Sequence, residues 1–413
     1  MITTSLSFEP TITPDEITKA REAILKEKEH VTSGYYTLPL TQTEIAEKAL
    51  AFDASGYRDI VVCGIGGSSL GAKALDALLR HDLKTGRNLH FIENSDPMEM
   101  ERIVGLLNLD KALFIIISKS GSTIETTSTF KYLLGRYGKT ALDSSCSKHF
   151  LVITDENSPL DKAAASADLP RFYLAPNTGG RFSVLSAVGL VPLGLAGHDV
   201  NALLEGAKAM HDAFFGKSGD PHRMIAKAHH YAKNSKAQPI NVLFGYASAL
   251  EQLSKWYVQL WGESIGKLNA NKERVGMTPI GITGSVDQHS FLQLIMEGPL
   301  DKTITFLKLK DFQSGAAVPD ITLPFLEKTD YINGHTFQDL INSQCDATKE
   351  AVEHAGATVD LIEIDRADAW HAGYLIYYYE LLTSLAGYFL GVNTYDQPGV
   401  ELGKQILAKK FGQ

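Results

Sequence analysis

From Asp59 onward, short apolar runs rich in β-branched residues alternate with longer stretches whose apolar positions recur at helical spacing. The runs Ile60 to Cys63, Leu89 to Glu93, Leu113 to Ser118, Phe150 to Thr154 and Arg171 to Leu174 predict strands, being too short for ordinary helices. Their nearly continuous apolar character fits strands covered on both faces, as in a parallel sheet. Leu70 to Leu79 and Ile124 to Tyr137 predict helices between them. After a helical stretch from about Val200 to Asn234, a second series predicts strands over Ile240 to Phe244, Pro279 to Thr283, Thr303 to Leu309 and Val359 to Ile364. Such alternation predicts an α/β fold with mainly parallel sheets. The first fifty residues read as helical and polar, with Pro14 opening a helix that runs to about Lys28. The apolar region from Ala372 to Val392 is interrupted by Glu380 and reads as a buried helix, not a membrane span. The expected division is a helical segment over 1–50, α/β domains over 51–197 and 198–390, and a C-terminal segment with a helix over 391–413.

At 413 residues the chain suits two domains of ordinary size. A net charge of -9 argues against a nucleic-acid partner, although a local site can still be positive enough for a phosphorylated small molecule. The three cysteines, Cys63, Cys146 and Cys345, lack metal-ligand spacing and fit a reducing compartment. The first residues lack the basic start and apolar core of a signal peptide, so a cytoplasmic protein is expected.

The strand ending near Ser118 runs into Ser118-Lys119-Ser120-Gly121-Ser122-Thr123 and then into a helix. Five hydroxyl residues fall among the nine positions from Ser118 to Thr126. Open amides at a helix start favour an anion, and the hydroxyls add donors; an ordinary helix cap is the plainer alternative. A second strand-loop-helix junction, Gly64-Ile65-Gly66-Gly67-Ser68-Ser69, fails the dinucleotide fingerprint because its third glycine falls at Ser69. It also lacks the lysine-serine pair of a P-loop. Exposed amides at a strand's carboxyl end remain, as a ligand loop or as a tight turn.

Four other segments carry candidate chemistry. Arg181 follows Gly179-Gly180 and precedes the apolar run from Val184 to Leu195, as an ion-pair partner or a ligand clamp. Glu263 ends an amphipathic helix on which Leu250, Leu253, Tyr257 and Leu260 recur, where a surface role is the default. His289 follows a strand that ends at Thr283, a place suited to acid–base work or to capping. Tyr395 to Lys404 suits a helix start, with Glu401 and Lys404 on one face, where a solvated pair is the plainer reading.

Together these segments carry a resemblance. Ser118 to Thr126 resembles the S-x-S-G-x-T-x-E-T motif of sugar isomerase (SIS) domains, which hold phosphorylated sugars. Gly179-Gly180-Arg181-Phe182-Ser183 and Tyr395 through Lys404 are similar to the two signatures of the glucose-6-phosphate isomerase family. Glu263-Ser264-Ile265-Gly266-Lys267 and Gln288-His289 are similar to its E-S-x-G-K and Q-H segments. Pro176, Asn177 and Thr178 depart from the acidic or amide, variable and aliphatic residues usual ahead of Gly179.

The resemblance implies two SIS-type α/β/α sandwich domains and the interconversion of glucose 6-phosphate and fructose 6-phosphate through a cis-enediol, with neither metal nor other cofactor. It implies Glu263 as the base between C1 and C2, His289 with Lys404 in ring opening, and Arg181 on the enediol oxygens. Ser118, Lys119, Ser120, Ser122 and Thr123 would hold the phosphate, Gly67 and Ser68 would approach the sugar, and Gln397 would line the site. It also implies a homodimer in which His289 serves the neighbouring subunit's site. A sugar-phosphate sensor is the rival reading, disfavoured because it has no need of Glu263, His289 and Lys404 together.

Overall fold

The computed structural model describes residues 2–216 and 221–412. Twelve strands are present among them: β1 Ile2–Leu6, β2 Asp59–Cys63, β3 Asn88–Ile92, β4 Ala112–Ile117, β5 Phe150–Thr154, β6 Arg171–Tyr173, β7 Ile240–Tyr246, β8 Lys267–Leu268, β9 Arg274–Val275, β10 Thr278–Thr283, β11 Lys302–Asp311 and β12 Thr358–Arg366. The first sheet has the order β3-β2-β4-β5-β6 and is parallel throughout. The second has the order β1-β12-β11-β7-β10, parallel except at β1.

The two sheets share one plan. In each, the first strand of the series lies between the second and the third, and the fourth follows the third. In the first sheet β6 completes the edge; in the second that edge is taken by β1, antiparallel to β12. The segment over 1–50, read as helical, therefore begins with a strand. Its helices Pro14–Glu29 and Thr43–Ala51 are present, but Ile2-Thr3-Thr4-Ser5-Leu6 pairs with Ile364 to Asp360. Five residues of alternating exposure carry little periodic signal, and their pairing partner lies more than 350 residues away.

Every strand of the first series covers its predicted run to within a residue or two. In β2, Ile60 and Val62 face one apolar cluster while Val61 and Cys63 face another. That two-sided burial is why the run shows no alternation. The larger cluster joins the inner faces of both sheets through the helices Ala187–Ala196, Val200–Phe215, Glu251–Ile265 and Ala369–Leu390. The stretch read as one helical region over Val200 to Asn234 comprises Val200–Phe215 and His222–Asn234. Among the described residues no helix is long and apolar enough to cross a membrane; Ala369–Leu390 is a core helix.

Candidate active site

Strands β3 and β4 lie on opposite sides of β2, so chain direction across the sheet reverses there. Ligands of open α/β sheets bind outside the carboxyl ends of strands at such a switch point. The glycine loop leaves β2 and the hydroxyl loop leaves β4, so the two face each other across the crevice. Their proximity depends on Gly64, where a Cβ would lie 3.1 Å from the Ile117 carbonyl oxygen.

In the hydroxyl loop, Ser118 is buried and donates to Thr123 Oγ1 at 2.9 Å. Ser120 and Ser122 hydroxyls lie 3.2 Å apart at the surface. Gly121 has φ +70°, and a Cβ there would lie 2.7 Å from the Leu160 amide. The helix Ile124–Arg136 has Thr123 at its N-cap, yet no side-chain bond caps it. The plain cap reading therefore loses its main support. First-turn amides and their dipole remain open toward the crevice. Lys119 spans the crevice, donating from Nζ to the Thr178 carbonyl at 2.8 Å.

Gly67 brings the glycine loop onto the Arg181 loop. A Cβ at Gly67 would overlap the Gly180 carbonyl carbon and lie 2.6 Å from the Arg181 amide. Ser68 sits beside it in the short turn Gly66–Ser68 and is half-buried.

Arg181 is 2% exposed and fully engaged. Its Nε donates to Ser264 Oγ at 2.7 Å, and Nη1 donates to Glu263 Oε2 at 3.4 Å and to Gln397 Oε1. Nη2 donates to the carbonyls of Thr394 at 2.5 Å and Asp396 at 3.2 Å. Burial pulls its pKa below the ordinary arginine value and the Glu263 carboxylate opposes that pull; a guanidinium remains a cation through such shifts. Glu263 itself is partly open, its side chain 38% exposed, and Gln259 one turn earlier donates to its Oε1 at 3.2 Å. A carboxylate aimed by a cation on one oxygen and an amide on the other is held for work at its open side.

Lys267 tethers the far side of the same segment, donating to the Asn393 carbonyl at 2.8 Å, to the Asp396 carbonyl, and to Asp396 Oδ1 at 2.8 Å. Burial lowers its pKa and Asp396 opposes. A cavity of about 670 Å³ opens beside it, lined by Glu263, Lys267, Arg274, Asp396, Gln397 and Val400 among others.

The structure thus gathers Arg181, Glu263, Gln397, Gly67 and, across the crevice, the hydroxyl loop. It leaves two expected residues at the surface. His289 is exposed in the turn Val286–His289, whereas its neighbour Gln288 is anchored to Tyr246 Oη at 3.0 Å. Lys404 is exposed on the helix Glu401–Lys410, paired with Glu401 at 2.8 Å. Sequence reasoning did not single out Gln259 or Thr394. Four-residue spacing from Glu263 on one helix face would have found Gln259; nothing local signals a backbone carbonyl.

The family described as phosphoglucose isomerase matches residues 48–413, which include every one of these site residues. The chain belongs to the phosphoglucose isomerase family. It is 46% identical to a glucose-6-phosphate isomerase of Campylobacter jejuni, covering 91% of each chain. A glucose-6-phosphate isomerase of Rubrobacter xylanophilus is 38% identical, over 92% of this chain and 89% of the relative. Among solved structures, a hypothetical protein of Thermus thermophilus superposes with a TM-score of 0.90 at 31% identity, with full coverage of both chains. A glucose-6-phosphate isomerase of Chlamydia trachomatis shares the fold, with a TM-score of 0.80 at 20% identity, covering 100% of this chain and 88% of the other.

Proposed function

We propose that the chain works as an aldose–ketose isomerase of this family, interconverting glucose 6-phosphate and fructose 6-phosphate, with labour divided as follows. The observation that carries it is the contact of the buried Arg181 with the half-open Glu263, one crevice away from an uncapped helix start ringed by hydroxyls.

Ser118, Ser120, Ser122 and Thr123 hold the phosphate together with the open amides of the helix Ile124–Arg136, and Lys119 adds positive charge. Gly67 and Ser68 approach the sugar, and the absent side chain at 67 lets the glycine loop pack directly on Gly180 beside Arg181. Glu263 removes the proton from C2 of the aldose, or C1 of the ketose, and returns it to the neighbouring carbon; a rigid carboxylate suits this one-base transfer. Arg181, already desolvated, stabilises negative charge as it develops on the enediol oxygens. Gln397 bridges Arg181 to the C-terminal wall.

Ring opening falls to His289 and Lys404, both exposed in the single chain. We assign His289 to the site of a second copy, making the working unit a homodimer. Exposed Leu402, Ile406 and Phe411 on and beside the helix Glu401–Lys410, and exposed Phe325 and Tyr331, support a partner surface. We also take residues 51–197 and 198–390 as the two domains, joined by one core, with 1–50 and 391–413 as flanking segments, and place the chain in the cytoplasm, where its three buried free cysteines would stay reduced. Conversion of fructose 6-phosphate to glucose 6-phosphate in a coupled assay tests the reading; a folded chain that binds the sugar phosphate without turnover would favour the sensor instead.

A further inference from the structure

The segment over 393–397 presents its carbonyls to Arg181 and Lys267, and between them Tyr395 turns the other way. Its hydroxyl donates to Glu27 Oε2 at 2.5 Å and lies 2.7 Å from the Tyr36 hydroxyl and 3.0 Å from Ser384 Oγ. Tyr36 donates to the same Glu27 oxygen at 2.8 Å. Tyr35 reaches Ser384 at 2.6 Å, and Tyr377 donates to the Tyr36 carbonyl at 2.9 Å. Phe182, next to Arg181, rests on the same floor, its ring 4.8 Å from Tyr35 and 5.6 Å from Tyr395. The Gly34 amide donates to the Asn177 carbonyl at 2.9 Å, and a Cβ at Gly34 would overlap the Pro176 carbonyl oxygen.

Residues 27–36 therefore support both walls that fix Arg181: the loop that carries it and the segment whose carbonyls aim it. Glu27, Tyr35 and Tyr36 all precede residue 48, where the family match begins. We propose that Tyr395, Tyr36 and Glu27 are positioning residues of the isomerisation, two hydroxyls sharing one carboxylate to hold the 393–397 segment against Arg181. Hydrogen bonds to an ionised acceptor are among the stronger kind, and a closed network fixes a geometry better than its separate bonds. The inference rests on Arg181 acting on the substrate.

The test is steady-state isomerisation by Tyr395→Phe, Tyr36→Phe and Glu27→Leu, with Glu27→Gln as the variant that keeps an acceptor. Displacing a reacting group by a fraction of an ångström costs roughly tenfold or more. Tyr395→Phe and Glu27→Leu should each lower kcat about tenfold while KM stays within about twofold, because the phosphate loop is untouched. Their double variant should be no slower than the slower single, and Glu27→Gln should recover most of the loss. A merely structural role would instead lower melting temperature without the kcat-against-KM split, and the effects of the pair would multiply; either result overturns the proposal. Should Tyr395→Phe fail to fold, the same split in Glu27→Leu and Tyr36→Phe decides. Arg181→Lys is measured alongside. If it turns over normally, the role of Arg181 falls and the buttress with it. If it is crippled while the tyrosine and glutamate variants are normal, only the buttress falls.

Discussion

Under the proposed assignment, the chemistry depends on Gly67 and Glu263 in opposite ways, on one through an absent side chain and on the other through a held carboxylate. At Gly67 the Gly180 carbonyl carbon lies where a Cβ would have to go, so Gly67→Ala must separate the glycine loop from the Arg181 loop. Misplacement of about an ångström costs roughly 10²-fold in rate, and kcat/KM of Gly67→Ala should fall by that order; a folded variant with normal kcat/KM would show that the close approach does not matter. Glu263→Gln keeps the side chain's shape and one of the two acceptor oxygens that face Arg181 and Gln259, but removes the proposed base. Turnover should drop by orders of magnitude while a sugar phosphate still binds in a direct titration, and near-normal turnover would end the assignment. Glu263 was legible because it ends an amphipathic helix in a recognisable motif. The partners that fix Arg181 were less so: Ser264 was legible within the motif, whereas the Thr394 carbonyl depends on a fold-back from more than 200 residues downstream of Arg181.

Among the elements, the helix Ala369–Leu390 shows how an apolar stretch is kept in a globular core. Its Glu380 is 0% exposed, and neither carboxylate oxygen has a hydrogen-bond partner among protein groups. Burial pushes its pKa well above the ordinary carboxylate value, so the folded chain retains a proton that the unfolded chain releases. Stability from this group is whole below the unfolded pKa near 4.5 and is lost progressively as pH rises toward the raised folded value. Glu380→Gln, neutral throughout, should flatten that part of the decline in denaturant unfolding free energy as pH rises above about 5. An unchanged slope would place its origin elsewhere. The hydroxyl loop makes a second case at this scale: the strand and helix on either side were legible from periodicity, but cap and anion site differ only in whether Thr123 bonds the helix, which is a matter of three-dimensional geometry.

For the whole molecule, one apolar core joins two sheets built on the same plan. Arg181 comes from the first half, Glu263 from the second and Gln397 from the C-terminal segment, so the site exists only when all three are docked. Exposure of His289 and Lys404 leaves ring opening incomplete in one chain under the proposed assignment. Mixing inactive Glu263→Gln and His289→Ala chains should therefore restore part of the activity after subunit exchange, since some mixed dimers would contain one intact site. Recovery of none would mean that each chain completes its own.

Apolar periodicity alone determined nine of the twelve described strands, several helices and the α/β class, because two-sided burial leaves continuous β-branched runs and one-sided burial leaves a 3.6-residue stripe. The motifs, read as a resemblance, supplied the site residues of the proposed reaction. Tertiary structure alone decided that Ile2–Leu6 closes the second sheet, that Thr123 leaves its helix uncapped, and that Arg181 meets Glu263 and Gln397. It also set the N-terminal tyrosines beneath the C-terminal wall. Each of these is a contact between residues distant in the chain or a choice between hydrogen-bond partners. Local sequence carries periodicity, but pairing at long range is chosen by what the packed core brings within reach.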